Sequence, residues 1–318
     1  MLTSMGSQVV YPHRQHGSIW NINMRELKVT ADLGYKSFVR LADFTSHNEL
    51  AYTMKDSNVV VSCIGSKMYY KTEADFEESN IRIPVAIAKA AKANPRIKRL
   101  IMIGQAGADP NSASRKLRTK WVGEQAVKEI YPEVTFLRPT VMFNTIQQNP
   151  TLSGKWMYQM KMFNRMNFVA DGMNAKFQPV FSDDVAQAVI NSLKMEESIG
   201  QTYDLGGPHV YTYLEMYEMF ANICQIKPYS AVYPLERFYE EWHKNKWTSF
   251  WKNTVRYHMT PEFIGHEGTE IVCDPNVKGF EDLHIKPVSF GQKAPEYVAE
   301  VYWLYNSHQV TKREAANS

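Results

Sequence analysis

The side chains that most readily bind metals or catalyse reactions do not group well in this sequence. The candidate metal ligands are spaced eight, seven and eleven residues apart, at His258, His266, Cys273 and His284. Zinc sites pair their ligands at about two to five residues, so this spacing does not predict a metal. Asp183 and Asp184 are adjacent and cannot share a helix face, and Ser182 lacks the glycine context of a nucleophile elbow.

A pair of lysines on one predicted helix is the more informative feature. Lys116 and Lys120 lie four residues apart in SRKLRTKWVGEQAVKEIY, where Leu117, Trp121 and Val127 lie close to one helical face. Residues four apart are neighbours on a helix, so two charged ammonium groups there would repel each other. An exposed helix lysine is the plain alternative to any functional role for Lys120.

The elements that must position these residues are strands alternating with helices. Apolar, β-branched runs predict strands at Gln8–Tyr11, Ser37–Leu41, Asn58–Ile64, Arg99–Ile103, Val134–Arg138 and Thr202–Leu205. Helical stretches between them imply right-handed crossovers and a parallel sheet covered on both faces. The run VVVSCIG is typical of a central parallel strand, and Cys63 within it is predicted to be a buried thiol. We therefore predict an α/β fold, a Rossmann-like doubly wound parallel sheet.

Polar residues mark where several predicted helices begin. Ser46 and Glu49, and likewise Thr212 and Glu215, have the spacing of a capping box, in which each residue satisfies a free backbone N–H of the other. Ser182 is predicted to cap a further helix whose first turn contains two acids, which suit the positive end of the helix dipole.

Composition and charge narrow the class of protein. The chain has 318 residues, 44% of them hydrophobic and 22% charged, and a net charge of +3, which fits a globular protein without a nucleic-acid partner. No apolar run approaches the roughly 18 residues that span a bilayer. Three distant cysteines indicate a reducing compartment. The pattern loosens near residue 140, so 1–140 is predicted as the nucleotide-binding core and 141–318 as the end of the sheet interwoven with a smaller lobe.

Several stretches together resemble the extended and atypical short-chain dehydrogenase/reductase superfamily. They are SNVVVSCIGS, RLIMIGQAGA, VTFLRPTVMF, PVFSDDVAQAVINSL and GQTYDLGGP. Three more are similar to a branch of it whose members are accessory subunits of mitochondrial respiratory complex I: GSQVVYPHR, SRKLRTKWVGEQAVKEIYPE and GFEDLHIKPVSF. The stretches span most of the chain. The resemblance implies the extended short-chain dehydrogenase type of Rossmann fold with a smaller C-terminal lobe.

The resemblance also bears on the amino terminus. Members of the superfamily begin with a strand, a Gly-rich turn and a helix whose N-terminus binds the dinucleotide pyrophosphate. Here Gly6 is predicted to end that helix and Gln8–Tyr11 to be the second strand, so the first strand and the glycine turn are expected to be missing from the chain. The later stretch GQAGADP is a poor substitute. A truncated sequence, a separate polypeptide that completes the sheet, and real loss of the site are three open explanations.

Six positions carry the cofactor site that the resemblance implies: Arg14, Asp43, Ile64, Gly65, Lys120 and Pro139. Arg14 would offer its guanidinium to the 2′-phosphate of NADPH, Asp43 would approach the adenine, and Gly65 would let the cofactor pass. The plain alternatives are a solvated strand-end charge for Arg14 and turn residues for Asp43 and Gly65.

Hydride transfer in the superfamily uses a Tyr, a Lys four residues later, and a Ser or Thr after the fifth strand. Here Lys116 takes the Tyr position, and Gly104-Gln105-Ala106 supplies no hydroxyl. We therefore predict no catalytic residues. The resemblance implies a non-catalytic accessory subunit at the junction of the peripheral and membrane arms of complex I, near the quinone site, with NADPH as a structural ligand. The alternatives are an active atypical NADP(H)-dependent reductase or epimerase, and a nucleotide-sensing regulator of the NmrA-like type.

Aromatic and basic residues alternate in LERFYEEWHKNKWTSFWKNTVRYHM, residues 235–259, which contains Trp242, Trp247, Trp251, Lys244, Lys246, Lys252 and Arg256. They are either buried in the second lobe or part of an interface with a large partner or with lipid headgroups. The Met-rich stretch WMYQMKMFNRMNF adds adaptable apolar surface. The resemblance implies other complex I subunits as partners, peripheral contact with inner-membrane lipid, and a location on the matrix side.

Overall fold

The computed structural model describes residues 1–13, 33–66, 73–144, 166–169, 173–223, 230–233, 268–293 and 296. The strands are β1 Val9–His13, β2 Lys36–Arg40, β3 Val59–Ser62, β4 Arg99–Ile103, β5 Thr135–Pro139, β6 Met142–Phe143, β7 Met166–Val169, β8 Lys176–Phe177, β9 Val180–Phe181, β10 Thr202–Leu205, β11 Tyr211–Thr212 and β12 Ser230–Tyr233. The α-helices are α1 His47–Met54, α2 Glu73–Glu77, α3 Ile83–Ala93, α4 Arg115–Ile130, α5 Ser182–Lys194 and α6 Tyr213–Ile223. None of the helices in these ranges has the length and hydropathy needed to cross a bilayer.

Four strands form the central sheet, in the order β10–β5–β4–β3 and all parallel. Val60 of β3 lies level with Leu100 of β4. Strands β1 and β2 form a separate parallel pair, in which Tyr11 lies opposite Phe38. All six predicted strands are present, with ends within two residues of those predicted. The predicted α/β, Rossmann-like fold class is confirmed.

Helices cover the sheet on both faces because successive side chains of a strand point in opposite directions. Leu100 of β4 is buried in a cluster with residues of α1, α3 and α4, which include Val127. Ile101, the next residue, is buried in a second cluster with Val185 and Val189 of α5. Burial on both faces explains why the central strands read as continuous apolar runs.

A third apolar cluster is built from the short strand pairs and α6. It contains Phe143, Phe177, Tyr213, Tyr217 and Phe290, all buried. The rings of Phe177 and Tyr213 stack with centroids 4.2 Å apart, and those of Phe143 and Phe290 meet edge to face at 5.2 Å. Aromatic pairs of this kind add specific geometry to the apolar area they bury. Residues on both sides of the central-strand sequence therefore share one core.

One predicted capping box forms fully and the other forms in part. Thr212 N–H donates to the Glu215 carboxylate at 2.7 Å, and Glu215 N–H donates to the Thr212 hydroxyl at 3.2 Å. At α1, Glu49 N–H approaches the Ser46 hydroxyl at 3.5 Å. The Glu49 carboxylate does not return to Ser46; it accepts the backbone N–H of Ala42 at 2.7 Å. Glu49 thus closes the loop that leads into the helix.

Two local predictions are wrong and one is confirmed. Ser182 is the first residue of α5 rather than its cap, because β9 runs directly into the helix and leaves Phe181 at the N-cap. Cys63 is exposed rather than buried, because β3 ends at Ser62 and the thiol lies beyond it. Gly6 ends a short 3₁₀-helix in the left-handed conformation, with φ of 91°, as a helix-ending glycine does.

Candidate functional site

The carboxyl ends of β3 and β4 meet at the amino group of Lys120. Lys120 Nζ donates to the carbonyl oxygen of Ile64 at 3.2 Å and to that of Ile103 at 3.3 Å. Ile103 is the last residue of β4, and Ile64 follows β3 by two residues. Backbone carbonyls at strand ends need partners outside the sheet. The lysine side chain therefore bridges two neighbouring strand ends.

Removal from water governs the ionisation of this amine. It lowers the pKa of Lys120 to about 8, although the charges of Glu124 and of the Cys63 thiolate favour the protonated form. Burial disfavours the charged state of a lysine in this way. A neutral amine keeps two N–H groups, which equals the number of carbonyl oxygens in contact with it. The two hydrogen bonds are therefore compatible with either protonation state.

Gly65 and Ser66 complete the loop that follows β3. A Cβ atom at Gly65 would lie 3.0 Å from Lys120 Nζ and 3.3 Å from its Cε, so the glycine leaves room for the lysine. Asn80 holds the next residue: its Oδ1 accepts from Ser66 N at 2.9 Å, and its Nδ2 donates to Ser66 Oγ at 2.9 Å and Thr119 Oγ1 at 2.8 Å. Asn80 thereby ties the loop to α4.

The backbone around Asn80 is a π-helical turn, Glu78–Arg82, between α2 and α3. Such turns insert an extra residue into a helix and occur often at functional sites. The turn packs closely on α4, where any Cβ at Gly123 would collide with the carbonyl oxygen of Asn80. The sequence analysis missed Asn80, since ESNIRIP has no feature that separates a π turn from an α-helix.

A buried ion-pair cluster lies one turn further along α4. Glu124 is 3% exposed, and its carboxylate accepts from Arg138 Nε at 2.8 Å, Arg138 Nη2 at 2.5 Å and Lys128 Nζ at 2.7 Å. Arg138 Nη1 also lies 3.7 Å from Asp204 Oδ1. The sequence analysis missed this cluster too. Its signal was available, because Glu124 shares the buried helix face of Val127.

The positions predicted to lack catalytic groups lie on α4 and in the loop after β4. Lys116 is partly exposed, one turn before Lys120. The loop runs alongside β5, with Gly104 N–H donating to Leu137 O at 2.8 Å and Ala106 N–H to Pro139 O at 3.1 Å. It is held there by its backbone and contributes no hydroxyl.

Of the predicted cofactor residues, the structure brings together Ile64, Gly65 and Lys120. Asp43 lies in the turn after β2, where its carboxylate accepts from both the N–H and the hydroxyl of Thr45 at 2.7 Å. These are the contacts of a turn residue, and contact with adenine stays a prediction.

The remaining predicted site residues contribute less. Pro139 ends β5 and is buried. Arg14 lies outside the described residues, and so do all the residues of the aromatic and basic segment 235–259. The Met-rich stretch is described only at Met166–Val169, where it forms β7 and pairs with β12.

No group of three His, Cys, Asp or Glu side chains in the described ranges has the arrangement of a metal site. His258 and His266 lie outside those ranges. Burial and the nearby charge of Asp204 raise the pKa of the Cys273 thiol to about 12, which keeps it protonated. A protonated thiol is a poor ligand and a poor nucleophile.

The space beside Lys120 is small. The cavity there is lined by Ile64, Asn80, Gly104, Lys120 and Glu124, among others, and has room for about one water molecule. A nicotinamide ring with its ribose is many times larger. The side chains as they stand do not fit that half of a dinucleotide.

Relatives of the chain are found by sequence, although no protein-family model matches it. It is 35% identical over 228 residues to NADH dehydrogenase (ubiquinone) 1 alpha subcomplex subunit 9, mitochondrial, of Arabidopsis thaliana, a match that covers 71% of this chain and 54% of that protein. It is 27% identical over 316 residues to the protein of the same name from Mus musculus, covering 98% of this chain and 79% of that one. The chain thus spans about half the length of the plant relative.

Solved structures with a similar fold are nucleotide-sugar enzymes. MoeE5 in complex with UDP-glucose and NAD has a TM-score of 0.68 at 12% identity, covering 97% of this chain and 93% of that one. The UDP-glucuronic acid 4-epimerase of Bacillus cereus, in complex with UDP-glucuronic acid and NAD, has a TM-score of 0.65 at 13% identity, covering 94% and 92%. At these identities the similarity shows a shared Rossmann-type fold.

Proposed function

Because the chain belongs to the family of the proteins named NADH dehydrogenase (ubiquinone) 1 alpha subcomplex subunit 9, we propose that it is a non-catalytic accessory subunit of mitochondrial respiratory complex I. The observation that carries the non-catalytic part lies on α4. Lys116 takes the place of the proton-donating tyrosine, and Lys120 donates to two backbone carbonyls. General acid catalysis needs a donor within hydrogen-bond reach of the substrate, and this helix provides no phenol for it.

The proposed position of the subunit is the junction of the peripheral and membrane arms, near the quinone site, on the matrix side of the inner membrane. Its partners there would be other subunits of complex I. The segment 235–259 would supply tryptophans and lysines for contact with those subunits and with lipid headgroups. Support for this position comes from the names of the relatives and from the composition of that segment.

NADPH as a structural ligand is the finer part of the proposal. Arg14 would pair with the 2′-phosphate, and Asp43 would lie near the adenine. Support comes from solved neighbours of the same fold that hold NAD. When bound, a dinucleotide would supply hydride chemistry in an enzyme, whereas here the residues of the cleft would use it only to join strand ends.

Native electrophoresis tests the accessory role. Mitochondria that express the full chain with an epitope tag are solubilised in mild detergent, and the blue-native gel is analysed by mass spectrometry. We expect the tagged chain to comigrate with complex I, and depletion of the chain to lower the amount of assembled complex. The same tag on an unrelated matrix protein is the control. Migration as a free protein beside a fully assembled complex I would overturn the proposal.

The fold similarity to nucleotide-sugar enzymes keeps one alternative in view, an NADP(H)-dependent reductase or epimerase. Purified chain and its Lys116→Tyr variant are incubated with NADPH and a panel of aldehydes, ketones and nucleotide sugars. We expect no oxidation of NADPH by either. Turnover by the unmodified chain would favour the enzyme. Reversible NADPH binding without turnover, by a chain that never enters complex I, would favour a nucleotide sensor.

A further inference from the structure

The polar groups at the carboxyl ends of β3 and β4 are satisfied by the chain itself. The carbonyl oxygens of Ile64 and Ile103 accept from Lys120, and both the N–H and the hydroxyl of Ser66 are bonded to Asn80. In doubly wound folds the dinucleotide crosses this edge of the sheet. The backbone groups that a ligand would meet at these two strand ends therefore have partners already.

The lysine also occupies the passage above Gly65. Its Nζ lies 3.0 Å from the point where a Cβ would stand, and the cavity that remains has room for about one water molecule. A nicotinamide ribose would fit only if the Lys120 side chain turned away. The carbonyl oxygens of Ile64 and Ile103 would then lose their donor, and an unpaired buried acceptor is unfavourable.

We propose that Lys120 is a positioning residue, an internal clasp that joins β3 to β4, and that it closes the nicotinamide end of the cleft. Any affinity of this chain for a dinucleotide then comes from the adenosine 2′-phosphate half alone. This differs from the role in cofactor binding that family resemblance implies for the same position. The Lys120 contacts belong to the isolated fold, so a result against them would leave the accessory role in complex I untouched.

Thermal unfolding of four forms of the full chain tests the clasp: unmodified, Gly65→Ala, Lys120→Ala, and both substitutions together. In the presence of Lys120 the new methyl group crowds the amine, and we expect Gly65→Ala to lower Tm by about 2–5 °C. Without the lysine the methyl group has space, and we expect the same substitution to raise Tm by about 1–2 °C, since alanine restricts the unfolded chain.

Gly279→Ala is the matched control for this cycle. A Cβ at Gly279 would make ordinary contact with the carbonyl oxygen of Asp204 at 3.6 Å, and φ there lies outside the left-handed region. We expect its effect on Tm to be the same with and without Lys120. If Gly65→Ala also has the same effect in both backgrounds, Lys120 does not occupy the space beside Gly65, and the clasp is refuted.

Nucleotide titration tests the closed end without any variant, which matters if Lys120→Ala does not fold. The full chain is titrated by calorimetry with NADPH and with adenosine 2′,5′-bisphosphate, which lacks the nicotinamide half. We expect dissociation constants within about threefold of each other, or no binding of either nucleotide. NADPH binding more than about tenfold tighter would show that the nicotinamide half is bound, and would overturn the proposal.

Discussion

Helix α4 buries two charged groups one turn apart, and the two are compensated in different ways. Lys120 has the carbonyl oxygens of Ile64 and Ile103 as hydrogen-bond acceptors, and its pKa falls to about 8. Burial would likewise lower the pKa of Arg138, but the hydrogen bonds and charge of Glu124, with the charge of Asp204, raise it. Neutral partners leave the cost of burying a cation largely in place, whereas a bidentate carboxylate offsets it.

The difference separates two structural tasks along one helix. The Glu124–Arg138 pair attaches α4 to β5 with paired charges that are hydrogen-bonded on both sides. The Lys120 contacts close strand ends and tolerate loss of the charge, because a neutral amine can still donate twice. A charge that can leave marks a clasp that stays adjustable, and a fixed pair marks an attachment point.

Breaking the fixed pair should have the largest effect. Arg138→Met removes both donors to a Glu124 carboxylate that is 3% exposed, and leaves only Lys128 beside it. We expect a loss of about 3–5 kcal/mol in the free energy of unfolding, the usual cost of an uncompensated buried charge. Urea denaturation followed by circular dichroism measures it.

Arg96→Met is the matched control for Arg138→Met. Arg96 pairs with Asp56 at 3.2 Å, and both side chains are mostly exposed. Exposed ion pairs contribute at most about 1 kcal/mol, so we expect a change within that range. Equal effects of the two substitutions would mean that burial of the Glu124 pair adds nothing, and the contrast drawn along α4 would not hold.

The neutral polar contacts beside Lys120 should rank second. Asn80→Ala removes two bonds to Ser66 and one to Thr119, all in a buried setting. We expect a loss of about 2 kcal/mol, because the freed groups lie away from water. Asn276→Ala is the control, since Asn276 is exposed and its side chain bonds only to the neighbouring Asp274. A loss below that of the control would show that water readily replaces Asn80.

Sequence pattern predicted the frame of this site better than its inner contacts. Ile64, Gly65 and Lys120 were expected to meet because neighbouring parallel strands end at the same edge of a sheet, and they do meet. Asn80 was missed because a π turn leaves no residue signature. Cys63 was misplaced because its apolar neighbours predicted a strand that ends at Ile64, whereas pairing with β4 stops at Ser62. Hydrophobic pattern specifies which segments pair, but the last paired residue depends on loop contacts.

The adjustable charge should appear as a pH dependence. The pKa of Lys120 is about 8 in the folded chain, against an ordinary value of 10.5. Between these values the unfolded chain binds more protons than the folded one, so stability rises with pH. We expect the free energy of unfolding of the unmodified chain, relative to Lys120→Met, to increase from pH 8 to about pH 10.5. The charged groups that face the amine, Glu124 and Cys63, are the same in both forms.

Lys89→Met is the control for that pH series, because Lys89 is exposed on α3. The two lysine variants lose the same formal charge, so general charge effects cancel between them. Urea midpoints are read at half-unit steps of pH. A difference between the unmodified chain and Lys120→Met that stays constant from pH 8 to 10.5 would mean that the amine is not desolvated in the folded chain.

The smallest effect should come from the outer partner of the fixed pair. Lys128 Nζ lies 2.7 Å from Glu124 Oε1, but its side chain is 33% exposed and Arg138 remains bound to both oxygens. We expect Lys128→Met to cost at most about 1 kcal/mol, the range of helix ion pairs in contact with water. A cost close to that of Arg138→Met would mean that Glu124 depends on total positive charge rather than on the bidentate geometry of one guanidinium. The attachment of α4 to β5 would then be electrostatic without being specific to arginine, and Arg138→Lys, measured in the same denaturation series, would retain most of the stability.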